Sequence, residues 1–426
     1  MKCRSLVLFG TVAAVVAVAS VPLVGQAPGV PSAATALAAP PRAATSAAAP
    51  TKPYTQPRTA WGDPDLSGLW QGLTGVPLER PARFKGREFL TDAEMAAKKK
   101  AQEEAQALML AGKSYEIQFR AQANVNNVFH YETVLAPFSR QTSLIIDPPN
   151  GRLPLLTPEA VKRWEAREAT SHGRGEADSY VDRGLGERCI DVLELGRVYY
   201  WGLGEPLVER PVTGLGVDDA AIGLEGAAGT GARDDTPRAQ GQPDRPTRRI
   251  LQAPGYVAIV EQKAGRYRMI PLDGRPAFGP MVRQYLGDAR GHWEGNTLVI
   301  ETTNLNDPEP MMATYGLRRY PGTGETLRII ERYTPVDADR MEYRYTIDDP
   351  ATYTRPYTVL LEFTREDSFV EEPSLCHENN KDTAAQLAAG RADEAASVDF
   401  GAEFSRVRLQ RLEEVKAEVA AASKNR

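Results

Sequence analysis

Cysteine and histidine are scarce in this chain: its 426 residues hold 3 Cys and 4 His. No CxxC pair occurs, so thioredoxin-type redox chemistry and the common structural zinc motifs lose their first requirement. A Gly-x-Ser-x-Gly elbow, a Walker A loop and a dinucleotide fingerprint are likewise missing, which sets aside the enzyme classes built on them. Charge of one sign is not in excess either. The chain has 51 Lys and Arg against 56 Asp and Glu, a net charge of −5, too small to mark a charged polymer as its partner. With 42% hydrophobic and 25% charged residues, the composition is that of an ordinary globular protein. Collagen-like, fully disordered, polytopic membrane and nucleic-acid-binding readings fall away.

One long apolar run is present, at the N-terminus. Met1, Lys2, Cys3 and Arg4 precede an almost uncharged stretch from Leu6 to Val24, followed by small residues such as Gly25 and Ala27. A basic start, an apolar middle and a small-residue zone read as a secretory signal peptide over residues 1–27. An uncleaved anchor is the alternative, because the run approaches bilayer-spanning length; Pro22 and the small flanking residues favour cleavage. Cys3 precedes the apolar run, which excludes it as a lipoprotein cysteine, and no later segment is long and apolar enough to cross a membrane. Residues 28–58 are rich in Ala, Pro, Ser and Thr and read as a disordered tether. Export to the periplasm or beyond leaves Cys189 and Cys376, and an oxidising compartment favours a disulfide between them over two buried thiols. Closing so long a loop is worth up to about 5 kcal/mol in the chain-entropy model.

The remainder reads as one β-rich domain over residues 59–405 and a C-terminal helix over 406–426. Asp63-Pro-Asp-Leu-Ser-Gly-Leu-Trp70 is a turn entering a short strand, and Gly68-Leu69-Trp70 is a Gly-x-Trp triplet of the kind that opens lipocalin-type barrels. Thr91 and Glu94 form a capping box ahead of a polar helix that runs to about Ala111. A second helix starts at Thr157, with Pro158 at its first position and Val161 and Trp164 on one face. The Gly-rich stretch 202–248 is a surface excursion, since its glycines neither follow a strand nor open a helix. Strands are expected at 256–262, 266–270, 291–294, 297–303, 327–334, 341–347 and 357–364, with turn residues between them. Such a succession predicts a mainly β fold, an antiparallel lipocalin-like barrel or a related sandwich with peripheral α-helices, rather than βαβ units. Val407, Leu409, Leu412, Val415 and Val419 fall at helical spacing near the C-terminus.

Several motifs in one order carry a family resemblance. Trp61-Gly-Asp-Pro-Asp-Leu-Ser-Gly-Leu-Trp70, Leu78-Glu-Arg-Pro81, Glu88-Phe-Leu-Thr91, Asp147-Pro-Pro-Asn-Gly-Arg152 and Pro271-Leu-Asp-Gly-Arg-Pro276 are followed by a longer one. It is Gly287-Asp-Ala-Arg-Gly-His-Trp-Glu-Gly-Asn-Thr-Leu-Val-Ile-Glu-Thr-Thr-Asn304, and Cys376-His-Glu378 comes last. Over residues 61–395 the chain resembles a largely uncharacterised family of exported bacterial proteins. The resemblance implies export and a common fold, and it transfers no reaction. The chain departs from the family pattern at Asn296, where Asp is usual, at Ala277, where His is usual, and after Glu378, where Asn-Asn replaces Gly-Asn-Tyr. No role for the missing carboxylate or imidazole carries over.

The groups able to do chemistry are few. His377 and Glu378 follow the cysteine expected in a disulfide, and a pinned imidazole beside a carboxylate suits general acid–base work. Lys381 stands where a zincin would need its second His, so no metal site is expected there. Asp288, Arg290, His292, Trp293 and Glu294 crowd a short strand and its turn, with Arg290, His292 and Glu294 expected on one face and Trp293 on the other with Ala289 and Gly291. This cluster reads as an acid, a guanidinium and an imidazole at a barrel mouth, or as a solvated hairpin with Trp293 in the core. Asp273 and Arg275 form a turn, and Tyr343 and Tyr345 project to one side of their strand as candidate walls for an aromatic ligand, supplemented by Tyr353 and Tyr357. The leading expectation is an exported, cofactor-independent enzyme, a lyase, isomerase or hydrolase, acting on a small apolar or aromatic metabolite. In that reading His377, Glu378, Asp288 and Arg290 are catalytic, and Tyr343, Tyr345, Trp293, Asp273 and Arg275 bind substrate. The alternative is a non-catalytic periplasmic binding protein for hydrophobic small molecules, and a third reading is a scaffold whose helices recruit a partner. Neither nucleic acid nor stable membrane insertion after cleavage is expected.

Overall fold

The structure is a computed structural model that describes residues 54–110 without 73–75, 77 and 85, residues 139–170, residues 247–306 without 262–265, residues 326–367, residue 388 and residues 400–424. Its strands are β1 Gly68–Gly72, β2 Ile145–Asp147, β3 Thr247–Ala253, β4 Tyr256–Glu261, β5 Arg266–Pro271, β6 Asp288–Glu294, β7 Thr297–Thr303, β8 Arg328–Pro335, β9 Arg340–Asp348 and β10 Tyr357–Arg365. The helices are α1 Asp92–Leu110, α2 Pro158–Thr170 and α3 Phe400–Lys424. Signal peptide, most of the tether, Cys189, Cys376, His377 and Glu378 lie outside the described residues.

Period-2 alternation decides which way each strand faces. Along β9, Met341, Tyr343, Tyr345 and Ile347 are buried while Arg340, Glu342, Arg344 and Thr346 are part-exposed between them. The same alternation on β8 turns Ile329, Glu331 and Tyr333 inward. All ladders are antiparallel, in the order β5-β4-β3-β1-β10-β9-β8-β7-β6, with β2 added beside β10. The sheet curls into a nearly closed barrel, not a sandwich. First and last strands meet where Trp70 pairs with Arg365, whose guanidinium lies 5.2 Å from the Trp70 ring centroid. Gly68 sits there at φ 137°, a backbone conformation that L side chains rarely adopt.

The barrel has a seam. Its end strands β5 and β6 face each other with no ladder among the described residues. Side chains close the gap instead: a Cβ on Gly291 would lie 2.6 Å from Leu272 Cδ2 and 2.8 Å from Ile270 Cγ2, so those two side chains occupy the notch the glycine leaves.

The helices cover the outside. Thr91 and Glu94 form the expected capping box, Thr91 N donating to Glu94 Oε2 at 2.7 Å and Glu94 N to Thr91 Oγ1 at 3.2 Å. Thr157 caps α2 by accepting from Ala160 N at 3.1 Å, and its hydroxyl donates to Ala351 O at 2.8 Å, which fixes the helix to the β9–β10 turn. Ala160, Val161 and Trp164 of α2 and Leu412 and Val415 of α3 enter the same core, and Lys416 pairs with Glu165 at 2.7 Å. Leu412 and Val415 of the expected α3 stripe are thus buried inside the domain, while Leu409 is exposed. Among the described residues no helix is long and apolar enough to cross a membrane.

Three boundaries differ from expectation. Residues 54–58, assigned to the tether, are held: Gln56 is buried and its Nε2 donates to Asp65 O at 2.6 Å, and Arg58 bridges Pro64. Strand β3 begins at Thr247, so Arg248 belongs to the barrel and not to the surface excursion. Strand β6 starts at Asp288 rather than Gly291, because Asp288 to Arg290 pair with Glu301 to Thr303.

Gly291→Ala should lower stability by about 1–3 kcal/mol through overpacking against Leu272 and Ile270. A urea midpoint equal to that of the wild type would show that the seam side chains yield freely.

Candidate functional site

The barrel interior is crossed by a charged tie. Glu331 is 0% exposed, and Arg268 of β5 grips its carboxylate with both terminal nitrogens, Nη1 to Oε2 at 2.7 Å and Nη2 to Oε1 at 2.8 Å. The Tyr343 hydroxyl donates to Oε1 at 2.8 Å and the Tyr333 hydroxyl at 3.3 Å. Arg248 of β3 brings Nη1 to 3.9 Å from the same oxygen, donates to Tyr333 Oη at 2.5 Å and lays its guanidinium 4.3 Å from the Tyr343 ring centroid. The aromatic stack continues from Tyr343 to Tyr333 at 4.6 Å, Phe363 at 5.5 Å and Tyr345 at 5.7 Å between centroids.

Burial by itself pushes the Glu331 carboxyl up, but attraction to Arg268 and Arg248 and the hydrogen bonds from Arg268 and Tyr343 outweigh it, and the net displacement is downward. Burial holds the Tyr343 phenol well above its usual range, so it stays a neutral donor. A carboxylate held ionised by a bidentate arginine is a weak base. It is also out of reach: Glu331, Tyr333, Tyr343 and Tyr345 all have no exposed surface, so at this level the barrel is filled by its own side chains.

The outer face of β6 carries the second cluster. Asp288 is buried, pairs with Arg290 and accepts from Phe278 N at 2.6 Å; Arg290 donates to Pro276 O at 3.2 Å and stacks 5.2 Å from the Phe278 ring centroid. These bonds fasten the β5–β6 loop to the strand. His292 and Glu294 face solvent, with His292 Nε2 at 3.2 Å from Glu294 Oε1 and Arg332 Nη2 at 2.5 Å from Glu294 Oε2. The bonds from Arg332 and His292 hold the Glu294 carboxyl below its usual value against slight desolvation. Asp273 and Arg275 pair within an exposed turn, where the bonds from Arg275 draw the Asp273 carboxyl down to about 2, and Arg275 also donates to Tyr256 Oη at 2.8 Å.

The predicted residues that are described therefore sort into four places. Asp288 and Arg290 meet as expected, on the outward face at the start of β6. Tyr343 and Tyr345 face inward as expected, though packed among protein groups; Tyr353 and Tyr357 stack edge-on at 5.2 Å, also buried. Trp293 faces inward beside the seam and is partly exposed. Asp273 and Arg275 stand apart from all of these. Glu331, Arg248 and Arg268 were missed. A period-2 reading of Arg328-Ile-Ile-Glu-Arg-Tyr333 does place Glu331 on the face of Ile329 and Tyr333, and that was the available signal. Among the described residues no group of His, Cys, Asp and Glu converges as a metal site.

Apolar side chains flank the seam on its outer side. Tyr267 and Met269 of β5 are 64% and 54% exposed, and the β5–β6 loop adds Phe278 at 53% and Met281 at 93%. Leu251 continues the β5 row through the register Leu251↔Ala258↔Met269. No protein-family model, curated protein or solved structure matches the chain.

Replacing Glu331 by Gln leaves two buried guanidinium groups without their carboxylate and should cost about 3–5 kcal/mol at neutral pH. Because the folded-state pKa is depressed below the usual 4.5, this stabilisation is complete above that value and is lost as pH falls through the folded pKa. The gap between wild type and Glu331→Gln in urea unfolding should therefore narrow on acidification; a gap that stays constant from pH 7 to pH 3 contradicts the ionised assignment. Asp288→Ala should expose the Phe278 amide to hydrogen exchange while leaving exchange in β8 and β9 unchanged, and undiminished Phe278 protection would show that the loop is held by other contacts.

Proposed function

We propose that this is an exported, non-catalytic binding protein for apolar or aromatic small molecules. The observation that supports it is the seam, the one junction of the described sheet with no ladder, bordered by Tyr267 and Met269 on one side and Phe278 and Met281 on the other. Exposed apolar side chains grouped on β5 and the adjoining β5–β6 loop support a site of association. Opening the seam breaks no β5–β6 ladder among the described residues, and Leu272 and Ile270 meet Gly291 through side chains alone. Acid–base catalysis finds less support. Asp288 and Arg290 are committed to fastening a loop on the outer wall, and the buried carboxylate is neutralised by arginine. Export rests on the N-terminal sequence, and the motif resemblance to exported bacterial proteins points the same way.

The test is a fluorescence titration of the full-length mature chain with N-phenyl-1-naphthylamine. Wild type should bind the dye, and Met269→Glu should weaken binding about tenfold, equal to about 1.4 kcal/mol. Absence of binding by wild type would remove this reading. Conversion of a bound compound by wild type but not by His377→Ala would replace it with catalysis.

A further inference from the structure

An indole N–H beside the seam has no acceptor. Trp293 is on the inward face of β6, opposite Leu298 of β7, and packs on the core while remaining partly exposed. Its Nε1 is buried and unpartnered. Two other indoles show how such a group is ordinarily satisfied: Trp70 Nε1 donates to Leu66 O at 2.9 Å and Trp61 Nε1 to Asp63 Oδ2 at 3.0 Å. A buried donor left without an acceptor opposes folding, and phenylalanine would fill the same space without that penalty. The neighbouring wall is apolar: Leu272 and Ile270 pack over Gly291, and Leu298 is the β7 partner of Trp293.

We infer that the seam is a binding site for an apolar molecule carrying one neutral hydrogen-bond acceptor, a ketone, ester or ether oxygen, which Trp293 Nε1 receives. This rests on the binding reading above and specifies its ligand class. Neutrality follows from the charges nearby. On β6, Asp288, Arg290, His292 and Glu294 all take the outward positions that alternate with Trp293. From the facing strand Arg268 points inward, with its two terminal nitrogens already bound to Glu331. Among the described residues Asp288 is paired with Arg290 and Glu294 with Arg332, so these charges already have partners, whereas the indole matches a carbonyl or ether.

Two probes of similar shape separate the donor from the apolar wall: 6-propionyl-2-dimethylaminonaphthalene, which carries a ketone, and 2-dimethylaminonaphthalene, which does not. In the full-length mature chain, Trp293→Phe should weaken the ketone probe about tenfold and leave the ketone-free probe within about twofold. The variant should also be at least as stable as wild type in urea, since it loses an unsatisfied donor. Equal effects on both probes, or none on either, would overturn the donor role, as would a clear loss of stability in Trp293→Phe. Failure of the wild type to bind either probe would instead overturn the binding reading itself.

Discussion

Taking the Glu331 carboxylate out of water is tolerable only because Tyr333 of its own strand and Tyr343 of β9 donate to it and two arginines come to it across the barrel. The strands supplying them are not neighbours. Arg268 comes from β5, an end strand of the sheet, Arg248 from β3, and Glu331 from β8 near the other end. The pairing thus ties the two halves of the sheet together through the interior, which is the linkage that a β5–β6 ladder would otherwise provide. Low accessibility strengthens the attraction and makes each missing partner costly, so the tie acts as a unit. It also selects the register of β5: a shift of one residue would turn Tyr267 or Met269 inward and leave Glu331 facing apolar groups.

Charges on the outer surface act locally. Arg328 with Glu301, Arg332 with Glu294 and Arg344 with Glu342 join neighbouring positions of β6 to β9, in full or partial contact with water. Pairs of that kind contribute roughly 0–1 kcal/mol each. Asp288 differs because it is buried and receives a backbone N–H from the β5–β6 loop, so it determines where that loop rests and how Phe278 is presented beside the seam.

Strands β4, β5 and β7 to β10 were legible because β-branched and aromatic residues alternate with polar ones and Gly, Asn or Asp marks the turns. Strand β3 was not. Its inward positions are Arg248, Ile250 and Gln252 and its outward ones include Arg249 and Leu251, so neither face reads as apolar. Strand β5 was recognised as a strand, yet its inward Arg268 lies between outward Tyr267 and Met269, reversing the usual polarity of the faces. The interior tie was illegible for the same reason: its members look like ordinary surface charges until the barrel brings β3, β5 and β8 together. The pairing of Asp288 with Arg290 was visible from spacing, but strand alternation alone cannot tell the outside of a barrel from its mouth.

The two unusual features of the molecule then have one physical origin. A barrel whose waist is filled by Glu331, Arg248, Arg268 and their tyrosines has little interior left at that level for a guest. The same tie holds β5 in place from within, so that its outer edge need not be zipped to β6. What remains is a junction made of side chains over a glycine, with an unsatisfied indole N–H on its inner side and apolar groups on its outer side. Filling the waist with charge and leaving the seam without a ladder are complementary choices: the first supplies the rigidity that makes the second affordable, and in the binding role proposed above the place where a small molecule is received moves from the centre of the barrel to its wall.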